Sequence, residues 1–153
     1  MSRDWRHPLL WGHYADKHKG ICLGFDVTDD DTFHPLEYWS ERWTLAELGL
    51  RSLKDMDESA LKKVLFSKFD AWKYEEEYRC FARLESADQA TGLYFIDLSP
   101  RLKLAQIILG ARSELTRTAV EKVVGNSSNS VAIIKARAGF HRFEVVRDKS
   151  WKG

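Results

Sequence analysis

Apolar and polar positions along the chain change period several times, and each change marks an element. Pro8, Leu9, Leu10, Trp11, His13, Tyr14 and Ala15 read as a short helix. Proline suits a first turn, where its missing N–H would have no partner anyway. Gly20 is the expected stop, in a left-handed conformation. Residues 21–27 read as a buried strand ending in Asp26-Val27, residues 29–31 as a solvated acidic turn, and residues 36–40 as a second short strand. A helical turn is expected near residues 45–53. Leu61, Val64, Leu65, Lys68, Phe69 and Trp72 then recur at spacings of three and four, which predicts a helix from about Asp57 to Trp72, capped by Asp57 or Ser59.

The period becomes two near Tyr74. Tyr74, Glu76, Tyr78, Cys80, Ala82 and Leu84 alternate with Glu75, Glu77, Arg79, Phe81 and Arg83, which predicts a strand, with residues 92–98 as its hairpin partner. A short buried strand at 107–109, closed by Gly110, precedes a helix over 113–124. Ser113 is its expected cap, and Leu115, Ala119, Val120 and Val123 its inner stripe. A polar loop over 125–130 and strands at 131–136 and 140–146 complete the chain. The mixed order favours α+β over a doubly wound fold. The expectation is a single domain over residues 1–153, with a mixed, mostly antiparallel sheet packed with about three helices.

Composition narrows the function classes. Twenty-four basic and 23 acidic side chains nearly cancel, which argues against general nucleic-acid binding. Trp39 and Trp43 flank only Arg42, a weak version of an aromatic platform interleaved with basic residues. No apolar run approaches the ~20 residues of a membrane span, and the N-terminus does not read as a signal peptide. Cys22 and Cys80 lack a C-x-x-C spacing, so two buried, reduced thiols in a cytoplasmic protein are expected rather than a disulfide. His13, His18 and Cys22 match no zinc spacing, and no phosphate loop or nucleophile elbow occurs.

Two constellations carry candidate chemistry. On a strand, Glu75, Glu77 and Arg79 share one face, with neighbouring carboxylates about 7 Å apart. That suits a ribose diol or an acid/base pair, but equally an ion-paired sheet face. On the first helix, Tyr14 and His18 share a face and His13 lies on the adjacent one. A histidine there can move protons near neutrality or simply bond backbone while Trp11 and Tyr14 serve as core. The candidate catalytic set is therefore His13, Tyr14, Glu75, Glu77 and Arg79, with Trp11, His18 and Trp72 as candidate cofactor contacts. The cofactor itself is unknown, and a nucleotide is the ligand class considered.

Residues 9–16 (Leu-Leu-Trp-Gly-His-Tyr-Ala-Asp) with 18–26 (His-Lys-Gly-Ile-Cys-Leu-Gly-Phe-Asp), and then 72–79 (Trp-Lys-Tyr-Glu-Glu-Glu-Tyr-Arg), resemble two blocks of a bacterial domain-of-unknown-function family, number 2971. Residues 100–112 resemble a third, weaker block. The resemblance implies a shared fold and an accessory role beside mobile-element or phage-defence genes. Family members usually carry a segment before the first block, which this chain is expected to lack. Three functional readings follow. One is a binding domain with a polar pocket built from the His13/Tyr14 helix and the Glu75/Glu77/Arg79 strand. Another is an NAD-consuming enzyme resembling ADP-ribosyltransferases in its logic: Glu77 on a ribose hydroxyl, Glu75 orienting the acceptor and Tyr14 stacked on the leaving ring. The third is a dimeric interaction module.

Overall fold

A computed structural model describes residues 1–28, 33–81, 87–95, 102–125 and 130–153. The chain divides into two compact units: Met1–Asp4 with Asp30–Ala82, and Trp5–Asp29 with Arg83–Gly153. The fold is α+β.

The second unit is built on a four-stranded mixed sheet. Strands β1 (Ile21–Val27), β6 (Leu102–Leu109), β7 (Ala132–Ala138) and β8 (Val145–Arg147) lie in the order β1-β6-β7-β8. β1 and β8 run antiparallel to their neighbours, while β6 and β7 are parallel. A parallel pair needs a crossover, and helix α3 (Arg117–Val124) lies in the β6–β7 connection. Side-chain alternation divides the β6/β7 residues between two apolar clusters. Ile108 and Ile134 pack with Trp11 and Ala15 at helix α1 (Pro8–Tyr14), whereas Ile107, Leu109 and Ile133 pack with Val120 of α3.

Pro8 begins α1 as expected. The helix does not stop at a left-handed Gly20; instead Asp16, Lys17 and His18 take φ of 42°, 52° and 70°. Such residues cost roughly 1–2 kcal/mol each, and tertiary hydrogen bonds hold this loop. The His18 amide donates to the Trp11 carbonyl at 3.1 Å, and the Arg112 amide donates to the His18 carbonyl at 2.9 Å. Gly110 is needed where that loop crosses β6, since a Cβ there would fall on the His18 carbonyl oxygen.

Several other expectations are corrected. Among the described residues β1 is an edge strand, and Ile21 and Leu23 on it are exposed. β6 begins five residues earlier than the apolar triplet suggested. α3 is capped by Thr116, whose side chain accepts from the Ala119 amide. Ser113 is buried instead beneath Lys135, whose Nζ donates to its carbonyl at 2.7 Å. Val120 and Val124 of α3 pack inward, while Ala119, Val123 and the preceding Leu115 are exposed. The final strand shrinks to β8, since residues 139–144 form a turn closed by a Gly139 amide to Glu144 carbonyl bond of 2.7 Å. Cys80 is exposed rather than buried; burial pushes the Cys22 thiol above its ordinary pKa. Both cysteines are free.

The first unit is assembled from short pieces. Strand β2 (His34–Pro35) pairs antiparallel with β5 (Tyr78–Arg79), and β3 (Glu37–Trp39) pairs parallel with β4 (Ser67–Phe69). Helix α2 (Glu58–Leu65) starts at the expected cap, where Asp57 Oδ1 accepts from the Ala60 amide at 2.8 Å. It stops at Leu65 rather than reaching Trp72. Pairing with β3 recruits residues 67–69 into a strand, and residues 70–75 form a 3-10 helix. The expected turn near 45–53 appears as a Thr44–Leu50 turn followed by a 3-10 helix at Leu53–Asp55. Among the described residues, its buried apolar side chains are only Leu36 and Ala60.

The expected strand over 74–84 is also corrected. Glu76 adopts φ of 42° after the 3-10 helix, so regular pairing with β2 is confined to Tyr78–Arg79. In the second unit, Ala87 and Tyr94 form an isolated antiparallel bridge around a turn capped by Asp88. The 29–31 turn, residues 82–84 and 96–98 of the expected hairpin, and most of the 125–130 loop lie outside the described residues.

Candidate functional site

Glu75 and Glu77 do not share a strand face, yet the fold brings both to one cation. Glu75 ends the 3-10 helix and is only 4% exposed, while Glu77 precedes β5. Lys68, on β4, donates from Nζ to Glu75 Oε2 and, at 2.7 Å, to Glu77 Oε2. Arg79 Nε donates to Glu77 Oε1 at 2.7 Å, and its Nη1 donates to the Leu65 carbonyl at 2.6 Å, tying the cluster to the end of α2. The Glu77 amide donates to Tyr38 Oη on β3 at 2.9 Å. Two carboxylates and two cations thus balance.

The protonation of the cluster follows from these contacts. Burial would raise the Glu77 carboxyl, but bonds from Arg79 and Lys68 outweigh it and hold it below the usual carboxylate range. Burial would lower the Lys68 ammonium, and the Glu75 and Glu77 carboxylates instead raise it. Glu77 is therefore an ionised acceptor at neutral pH rather than a proton donor.

Lys68 also forms part of the wall of an open cleft of about 720 Å³. Trp39 and Trp43 come from β3 and the residues after it, Phe69 from β4, and Trp72 from the 3-10 helix; Glu41, Arg42 and Ser67 supply polar lining. The Trp39 and Trp43 rings lie 4.4 Å apart by centroid at 57°. Trp43 is fixed by its Nε1 donating to Ser67 Oγ at 2.7 Å. The Lys68 ammonium lies 5.3 Å from the Trp72 ring centroid, and that of Lys63 lies 5.9 Å from Trp43. Volume, aromatic lining and a few placed polar groups are the usual features of a small-molecule site.

Of the sequence candidates, Glu75, Glu77 and Arg79 gather around Lys68, and Trp72 lines the cleft. His13, Tyr14, Trp11 and His18 belong to the second unit. There Trp11 is core, 2% exposed, with its Nε1 donating to the Trp5 carbonyl at 2.6 Å. His18 stacks beside Trp11 at 6.3 Å, while Tyr14 is exposed. Tyr14 and His18 do not share a helix face, because the helix ends at Tyr14 and the left-handed loop intervenes.

Sequence reasoning missed Lys68, Tyr38 and Phe69. Lys68 was absorbed into an extended helical stripe, although a lysine at an apolar position of that stripe is itself a signal of a buried charge partner. Among the described residues, no group of three or more His, Cys, Asp or Glu side chains could hold a metal ion, and no helix is long and apolar enough to cross a membrane.

No curated protein and no solved structure matches the chain. A family model does match residues 10–80, a little under half of the chain. The span covers nearly all of the first two sequence blocks and excludes the third. It marks residues 10–80 as a region like the family described as "Protein of unknown function (DUF2971)".

Proposed function

We propose that this protein binds a small planar aromatic ligand in the tryptophan cleft of its first unit, with the Lys68 cluster as a structural floor. The observation that carries the reading is the convergence of Trp39, Trp43, Phe69 and Trp72 around one open cleft with a charged wall. Indole faces stack on heteroaromatic rings, and each base-type stack contributes roughly 1–3 kcal/mol. The Glu75–Lys68–Glu77–Arg79 cluster supports the site by fixing β4 and the 3-10 helix that present Phe69 and Trp72. Nucleosides are the natural probes. A thermal-shift titration with adenosine, guanosine, cytidine and uridine tests the reading. At ~100 times its dissociation constant, a ligand adds about 2.7 kcal/mol of stability, a gain that Trp72→Ala removes. No shift with any nucleoside or nucleotide contradicts the reading.

A second reading keeps NAD as the ligand and gives the ionised Glu77 a catalytic role on a ribose hydroxyl. Its support is that Glu77 bonds Lys68, which lines the cleft. It predicts nicotinamide release from NAD that Glu77→Gln abolishes while the protein stays folded. In the same proposal the chain is a bacterial cytoplasmic accessory protein encoded beside mobile-element or phage-defence genes, as the resemblance of residues 9–26 and 72–79 implies.

A further inference from the structure

Arg42 stands at the tryptophan cleft as an exposed guanidinium, and among the described residues it has no ion-pair or hydrogen-bond partner. In the sequence Trp39-Ser40-Glu41-Arg42-Trp43 the arginine lies between two tryptophans whose ring centroids are 4.4 Å apart, and all three line the same cleft. Lys63 adds a second cation beside Trp43, while Glu41 supplies one opposing charge. Lys68 contributes little net charge, since its cluster contains two carboxylates and two cations.

From this juxtaposition we infer that the occupant of the cleft is a nucleoside phosphate, with its base among Trp39, Trp43 and Trp72 and its phosphate on Arg42. The inference rests on the cleft reading above and adds the charge of the ligand. Arginine presents paired N–H donors in a plane that matches two phosphate oxygens. A cationic ligand is disfavoured, because Lys63 and Lys68 already place ammonium groups beside Trp43 and Trp72. A free nucleotide fits better than a polynucleotide. With a net charge of only +1, the chain has no large excess of cations for a run of phosphates.

The test is calorimetric titration of the full chain with four matched pairs (adenosine and AMP, guanosine and GMP, cytidine and CMP, uridine and UMP), with inorganic phosphate and with a four-nucleotide single strand. At least one monophosphate should bind about tenfold or more tightly than its nucleoside, since a charge-assisted bidentate contact has that scale. Arg42→Gln should remove most of that monophosphate's advantage over its nucleoside, closing the roughly tenfold gap between the two. If a nucleoside and its monophosphate bind equally, the phosphate assignment is overturned while the cleft reading stands. If neither nucleosides nor nucleotides bind, both are overturned. Inorganic phosphate binding as tightly as the monophosphate also overturns it, as does much tighter, steeply salt-dependent binding of the single strand. Trp5→Phe, in the second unit, serves as a control that should change none of these affinities.

Discussion

Lys68 and Glu77 meet at 2.7 Å, joining a strand paired with β3 to the segment that leads into β5. With Glu75 on the same ammonium, this contact fills the interior of a unit whose described buried apolar side chains are just Leu36 and Ala60. An ion cluster therefore does much of the positioning that an apolar core does elsewhere.

Lys68→Met should be costly, because it removes the ammonium that bonds the buried Glu75 carboxylate and Glu77. Breaking a buried pair costs roughly 3–5 kcal/mol; with the Lys68 side chain 17% exposed, about 2–3 kcal/mol is expected. Urea unfolding of the two proteins measures the difference. Lys68→Met with Glu75→Leu should recover most of the loss, since an apolar pair of similar volume needs no desolvation.

The same cluster sets the pH dependence. The Glu77 pKa is lowered on folding, so its contribution is present above the ordinary value of 4.5 and is lost as pH falls through the folded pKa. The Lys68 pKa is raised, so its contribution is present below 10.5 and is lost as pH rises through the folded pKa. Stability attributable to these two groups should stay level between pH 6 and 9 on that basis. In thermal melts, Glu77→Gln should weaken the acid limb relative to wild type.

Much of the fold is legible where local signals and tertiary pairing agree. Pro8 opens α1, Asp57 caps α2, and β1 occupies the predicted residues. The helix predicted through Trp72 failed because its spacing carries no information about β3, which pairs with residues 67–69. The strand predicted from Tyr74 failed because Glu76 turns left-handed, which no period reveals. Of the candidate site, Glu75, Glu77, Arg79 and Trp72 were legible as a charged, aromatic block. The convergence of Glu75 and Glu77 on Lys68 depends on the left-handed turn at Glu76. The placing of Trp39 and Trp72 along one cleft depends on the β3–β4 pairing, between residues 30 apart in the chain.

Gly110→Ala should destabilise the second unit by about 3 kcal/mol, at the upper end for overpacking, because the methyl meets backbone at His18 and Gly20. Gly12→Ala is the contrasting case. A Cβ there meets nothing within 4 Å, and α1 should gain roughly 0.5–1 kcal/mol. Thermal unfolding of the pair separates close approach from helix propensity.

Phe140 and Phe143 lie in the β7–β8 turn and are almost fully exposed, at 83% and 104%. Replacing both with serine should leave stability within about 0.5 kcal/mol. Were the chain a dimer through this turn, the replacement would lower its mass in light scattering at micromolar concentration. An unchanged mass removes the turn from any self-association.

If the tryptophan cleft holds a planar ligand, the six indole N–H signals of the chain report on it. A nitrogen–proton correlation spectrum, assigned by single Trp→Phe variants and recorded through a titration with each nucleoside monophosphate, is the decisive measurement. Signals of Trp39, Trp43 and Trp72 should move with saturation, while those of Trp5, Trp11 and Trp151 stay in place. Six unmoved signals across all four titrations, or movement confined to Trp5, Trp11 and Trp151, would contradict a planar ligand in the cleft.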